Sequence, residues 1–196
     1  MAVACEPQAD LLIRLFNTTF GESDNTYLVA GDGEPVYRPA SNRRPQHQII
    51  FAHGFARSAL HEVSHWCLAG KVRRQLTDFG YWYAPDGRSP ELQAVFEQVE
   101  VGPQAVEWYL SLAAGIRFEI SVDNLSGSQP PNRVAFLQAV IARAYQRAEH
   151  GWPPRALRFA AVLQAHFQQP PVTLARLQAA AATMLAVERA RIAELS

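Results

Sequence analysis

The chain has 196 residues and is 48% hydrophobic, enough for one soluble globular domain with a sizeable core. Its formal net charge of zero excludes a global field drawing it to nucleic acid, and no apolar run is long enough to span a bilayer. Cys5 and Cys67 form no C-x-x-C pair, which argues against a disulfide framework or zinc ribbon; with no signal-like N-terminal pattern, the expected location is the cytoplasm.

In chain order, Asp10 to Phe20 predicts an amphipathic helix with Leu11, Leu12, Leu15, Phe16 and Phe20 on its apolar face. Short strands are expected at Tyr27–Ala30 and Val36–Arg38 within a Gly/Pro/Asn-rich stretch, and a buried strand at Gln48–Ala52. Ser58 and Gly70 are the expected cap and stop of the next helix. Asp78 to Tyr83 alternates aromatics with smaller groups, as a strand or extended loop does, and Pro85-Asp86-Gly87 is a turn signal. Ser89-Pro90-Glu91 starts a helix that Gly102-Pro103 is expected to break or kink, with a second segment from Pro103 to Ala114. Arg117 to Val122 reads as a strand. Arg133–Glu149, Pro154–Phe167 and Val172–Leu195 read as helices, the last alanine-rich and weakly patterned. These elements define an α+β fold: a single compact domain, mostly helical with a small sheet, plus an appended C-terminal helix over 170–196.

His61-Glu62-Val63-Ser64-His65 is the strongest chemical signal. On a helix, residues four apart share a face, so both imidazoles meet one metal ion, with Glu62 turned toward the same cavity. Zinc and iron(II) both accept two histidines and a carboxylate. Glu62 has two possible roles: general base on metal-bound water in a zinc peptidase, or a ligand or hydrogen-bond acceptor in an iron enzyme. Cys67, two positions beyond His65, points off the ligand face and is expected in the core. Glu97 and Glu100 are the candidate third ligands. With Leu92, Val95, Phe96 and Val99 taken as the buried face, Glu100 lies about 90° from its centre and Glu97 about 150°, which favours Glu100. His53 is a further residue near the motif, expected to be exposed.

Tyr81, Trp82, Tyr83, Asp86 and Arg88 form an aromatic and charged cluster suited to a substrate ammonium group; the alternative is an ordinary core strand and turn. Residues 38–74 carry seven cations against Glu62 alone, while residues 86–123 carry seven acids against Arg88 and Arg117. Such asymmetry is usually solvated surface, with a docking face beside an acidic pocket as the alternative.

The wording from Phe51-Ala52-His53-Gly54-Phe55 through the H-E-x-x-H block, Asp78-Phe79-Gly80-Tyr81-Trp82-Tyr83, Pro85-Asp86-Gly87-Arg88 and Phe96-Glu97-Gln98-Val99-Glu100 resembles the bacterial elongation factor P hydroxylase family. The likeness spans roughly residues 10–168, making 1–169 a hydroxylase-like domain. It implies an oxygen-dependent, iron-dependent hydroxylase acting on the β-lysylated lysine of elongation factor P, as the last step of that protein's modification. By position it implies His61, His65 and Glu100 as ligands of Fe(II), molecular oxygen as co-substrate, and no direct nucleic-acid or membrane partner. Tyr81, Asp86 and Arg88 are then the expected substrate contacts, and the basic 38–74 segment meets an acidic partner. Two rivals stand beside this: a zinc metallopeptidase on the same ligands, favoured by the motif alone, and a non-catalytic binding protein with a structural metal clip.

Overall fold

Ala9, Leu12, Phe16 and Phe20 recur at helical spacing with no exposed surface, and they make α1 (Pro7–Phe20) a core helix. It starts three residues earlier than the apolar pattern predicts, because Pro7 is suited to a first helical turn. The rings of Phe16 and Phe20 meet Trp66 at 5.2 and 4.9 Å, and Phe16 meets Phe159 at 5.5 Å, so one aromatic cluster joins three helices. The computed structural model describes residues 6–80, 87–122, 124 and 132–195.

Three strands form one small sheet: β1 (Thr26–Gly31), β2 (Val36–Arg38) and β3 (His47–Ala52). β3 is central, parallel to β1 (Thr26 opposite His47) and antiparallel to β2 (Tyr37 opposite Ile49). His53 and Gly54, both left-handed at φ 57° and 66°, then turn the chain directly into α2 (Ala56–Leu68). Ser58 is not its cap. Phe55 occupies that position, the carboxylate of Glu6 accepts the Ala56 N–H at 3.0 Å, and Ser58 Oγ accepts the Ala52 N–H at 3.1 Å, stitching β3 to the helix. At the other end the Arg155 guanidinium donates to the carbonyls of Trp66, Cys67 and Ala69, satisfying orphan acceptors that no glycine cap covers. Cys67 is buried, and burial pushes its thiol up to about 12.

The strand or extended loop expected from Asp78 is instead a turn over 78–80. Asp78, Phe79 and Gly80 are all left-handed, a tight turn in which Asp78 Oδ1 accepts the Tyr37 N–H at 2.8 Å and Phe79 stacks on Tyr37 at 4.2 Å. Asp tolerates that backbone region, and the stack holds Phe79 in it. The rest of that stretch, 81–83, lies outside the described residues, as does most of the following turn.

The larger correction concerns α3 (Pro90–Ala114), which runs unbroken through Gly102-Pro103. An interior proline costs about 3 kcal/mol. Beyond it, however, Val106, Trp108 and Leu110 are essentially inaccessible to solvent, each worth about 1.5–3 kcal/mol when buried, so packing outweighs the local penalty. α3 is the central helix, packed against α2, α4 (Arg133–His150) and α5 (Pro154–Phe167). It ends at Gly115, left-handed at φ 67°, where a Cβ would lie 2.7 Å from Gln169 Nε2.

The segment 116–122 is not a strand either. It has the predicted alternation, with Phe118, Ile120 and Val122 buried, but side chains take the place of a ladder. Gln104 both accepts the Ser121 N–H (3.0 Å) and donates to its carbonyl (2.6 Å), and Gln93 donates to the Val122 carbonyl at 3.0 Å. The C-terminal helix α6 (Leu174–Leu195) packs on α4. Leu177 and Ala181 enter the core, and Arg133 pairs with Glu188 at 2.9 Å. No helix of the described residues is long and apolar enough to cross a membrane.

Candidate metal centre

α2 and α3 lie side by side, and their facing polar residues meet in the middle of an otherwise apolar contact. From α2 come His61 and His65, one turn apart, with ring centroids 4.8 Å from each other. From α3 comes Glu100, 2% exposed. His61 Nε2 and His65 Nε2 are 3.1 Å apart, and each is 3.4 Å from an oxygen of Glu100. Among the described residues, these three alone form a set with metal-binding spacing.

Facing at 3.1 Å, the two ring nitrogens can share only one proton between them, and both also face the Glu100 carboxylate. Ligands about 2.0–2.2 Å from one divalent ion lie about 2.8–3.6 Å from each other at right-angled to tetrahedral angles. The two nitrogens match that spacing, and Glu100 reaches one with each of its oxygens (Oε2 to His61, Oε1 to His65), with one atom from each residue lying within 4.8 Å of the others. Two imidazole nitrogens and one carboxylate on one side are also the donor set that zinc and non-haem iron accept.

The surroundings hold this set in place. His61 Nδ1 lies 2.8 Å from Oε2 of Glu107, which is 4% exposed. The carboxylate accepts the Nδ1 proton, so that once a metal ion displaces the Nε2 proton it is the Nε2 lone pair that faces the centre. Gln104 donates to Glu100 Oε2 at 3.4 Å as well as to Ser121, tying the carboxylate to the 116–122 segment. Burial opposes charge on His61, but the Glu107 hydrogen bond and the charges of Glu107, Glu100 and Glu62 outweigh it, and the metal-free imidazolium is held up to about 10. Burial likewise raises Glu100, yet the two histidines and Gln104 bring it down to about 2. Glu62, half-buried beside this cluster, is pushed above the ordinary carboxylate range by burial and by Glu100 and Asp78, against the pull of both histidines.

Other predicted residues fall elsewhere. Glu97 is half-buried and accepts from Gln93 Nε2 at 2.9 Å, away from the histidine pair. His53 is exposed in the β3–α2 turn. Arg88 is 8% exposed: its Nε donates to Gln93 at 2.8 Å, its guanidinium lies 4.0 Å over the Phe96 ring, and its backbone N–H goes to Asn124. Tyr81 and Asp86 lie outside the described residues. The acidic stretch resolves into Glu100 and Glu107 at the centre and surface acids such as Glu119, which pairs with Arg57 and Arg117.

Glu100 faces inward as expected, but for a different reason. Leu92 and Val95, taken as buried, are 44% and 57% exposed. The inward row is polar: Gln93, Glu100, Gln104, Glu107 and Ser111. Glu107 escaped the sequence reading because the wheel stopped at Gly102-Pro103. Continued through it, the spacing 100, 104, 107, 111 is a helical stripe of polar residues.

A family model described as elongation factor P hydroxylase matches residues 15–177. The elongation factor P lysine hydroxylase of Haemophilus influenzae is 52% identical over 151 residues, covering 77% of this chain and 84% of that protein.

Proposed function

The chain belongs to the elongation factor P hydroxylase family, and on that premise we propose that it hydroxylates the β-lysylated lysine of elongation factor P, using molecular oxygen and iron(II) held by His61, His65 and Glu100. The observation that carries the reading is the convergence of three ligand atoms within 4.8 Å of one another, in a chain of this family. When bound, iron(II) supplies the one-electron chemistry by which oxygen is brought to bear on an unactivated C–H bond.

The remaining parts belong to the protein. Glu107 selects the tautomer of His61 and resists its rotation. Gln104 orients Glu100 and anchors it to a segment that closes one side of the site. Glu62 holds a proton more readily than an ordinary carboxylate and is placed to exchange it beside the centre. The carboxylates facing the histidine pair suit the approach of a cationic lysyl side chain. A long modified lysine side chain suits a centre in which His61 is partly open and His65 and Glu100 are buried.

The test is the intact mass of β-lysylated elongation factor P after incubation with the protein, iron(II), reductant and oxygen. The expected result is gain of one oxygen atom, lost with His61→Ala. A zinc metallopeptidase on the same ligands is the second reading, favoured by the raised Glu62 carboxyl, which suits a base on bound water. Peptide cleavage by the zinc-loaded protein, without oxygen incorporation, would establish it instead.

A further inference from the structure

A cleft of about 620 Å³ lies between the end of α2, the loop after it, the middle of α3 and α4. That volume is in the range of small-molecule sites. Its apolar lining includes Leu68, Val99 and Pro103. Its charged lining is of one sign: Lys71 and Arg73 from the loop, Arg143 and Arg147 from α4, with no carboxylate among the lining residues. In a chain of zero net charge, four cations converging on one concavity is a local excess.

The arrangement has a cost that structure alone does not offset. Arg143 and Arg147 stand one helical turn apart, a like-charge pair that weakens a helix. Among the described residues, no carboxylate pairs with Lys71, Arg143 or Arg147. The carbonyls at the α2 C-terminus do not need these cations, because Arg155 already covers them. Apolar and cationic residues line the same concavity, Arg73 also donating to the Phe79 carbonyl at 3.1 Å, so a bound anion would meet both.

His65 also lines this cleft. The cleft therefore abuts the candidate metal centre, and none of Glu62, Glu100 and Glu107 lines it. A cationic lysyl group is attracted to those carboxylates and repelled by this cleft, so the two features serve different ligands. We propose that the cleft is a binding site for a small polyanion, carrying carboxylate or phosphate groups, seated beside the metal centre. Its use as a co-substrate site rests on the hydroxylase reading; the binding itself does not.

The experiment is calorimetric titration of the metal-loaded protein with two weakly chelating probes: succinate for a dicarboxylate, and sulfate for a phosphate group. Saturable binding of either, weakened about tenfold or more by Arg143→Gln/Arg147→Gln, supports the site, and the preferred probe identifies the source. Binding by the wild type should also weaken with added sodium chloride. Lys71→Gln, at an exposed position, should weaken the same probe and guards against a folding defect in the double variant. Absence of saturable binding by both probes overturns the proposal. So does binding that none of these substitutions changes, which would place the anion on the metal. If neither probe binds and the double variant only raises KM for the protein substrate, the cleft is a protein-docking face and the proposal fails. No turnover is needed, so failure here is separable from failure of the hydroxylase assignment.

Discussion

In the metal-free protein His61 holds its second proton up to about pH 10, against an ordinary imidazole value of 6.5. A metal ion must displace that proton from Nε2 before it can bind. Apparent metal affinity should therefore climb about tenfold per pH unit below pH 10, each unit being about 1.4 kcal/mol. Between about pH 7.5 and about pH 9 the rise is about 30-fold, or about 2 kcal/mol. An unperturbed histidine has already lost its proton across that window and would give a nearly flat profile. The cause is the Glu107 carboxylate 2.8 Å from Nδ1, helped by Glu100 and Glu62. Glu107→Gln keeps an acceptor of the same shape but removes the charge, so the slope should flatten even as looser orientation lowers affinity overall.

Competition for zinc(II) against a chromophoric chelator, repeated across the window, reads the slope. Calorimetry in two buffers of different ionisation enthalpy counts protons released per metal: about one for the wild type near neutrality, fewer for Glu107→Gln. A flat profile in the wild type, or an unchanged slope in Glu107→Gln, would refute the assignment of the proton to His61 and of its retention to Glu107.

Other outcomes follow from the same geometry. Glu62→Gln should leave metal affinity within about tenfold, since Glu62 is not one of the three converging atoms, while lowering turnover; loss of metal would make it a ligand. Gln104→Leu should destabilise the fold by about 1–3 kcal/mol in denaturant melts, because the Ser121 N–H and carbonyl both lose their partner. The stability of the metal-free protein should respond to pH at both ends. Glu100, depressed to about 2, contributes above its ordinary 4.5 and loses that contribution as pH falls through about 2. His61, raised to about 10, contributes below 6.5 and loses it as pH rises through about 10. Thermal melts should show the alkaline limb flattened in Glu107→Ala, and an unaltered limb would contradict the linkage.

The readable parts of this chain were those in which local chemistry and packing agree. Leu12, Phe16 and Phe20 repeat at helical spacing, and Ile49 and Phe51 alternate in a short run; each lies in the core where that pattern places it. The H-E-x-x-H helix was legible because four-residue spacing is a property of any helix. The failures came where tertiary contacts overrode local signals. Ser58 is a good capping residue, but Glu6, fifty positions away, reaches the helix start first. Pro103 is a good helix breaker, but it sits in the most heavily packed helix of the fold. Residues 116–122 alternate like a strand, yet Gln93 and Gln104 answer their backbone groups. That last error and the omission of Glu107 have one source. A buried polar stripe on α3 was invisible while α3 was read as two helices with an apolar inner face.

That stripe also bears on the electrical state of the centre. With both imidazoles neutral, Glu100 and Glu107 bring two negative charges to a region shielded from water, and an ionised Glu62 would bring a third. A divalent ion balances two. In the metal-free protein burial, with the charges of Glu100 and Asp78 beside it, raises the Glu62 carboxyl above its ordinary range against the pull of both histidines. Occupation of the centre by a dication would lower that carboxyl, and uptake of a cationic lysyl group nearby would lower it further. The Glu62 carboxyl therefore moves toward its ionised form as the site fills. At a pH low enough for Glu62 to be partly protonated in the metal-free protein, infrared difference spectra should show the protonated-carboxyl band shrinking on metal binding in the wild type and no such change in Glu62→Gln. A band unchanged by metal in both would mean that Glu62 is ionised throughout, and the charge balance would have to be carried by another group.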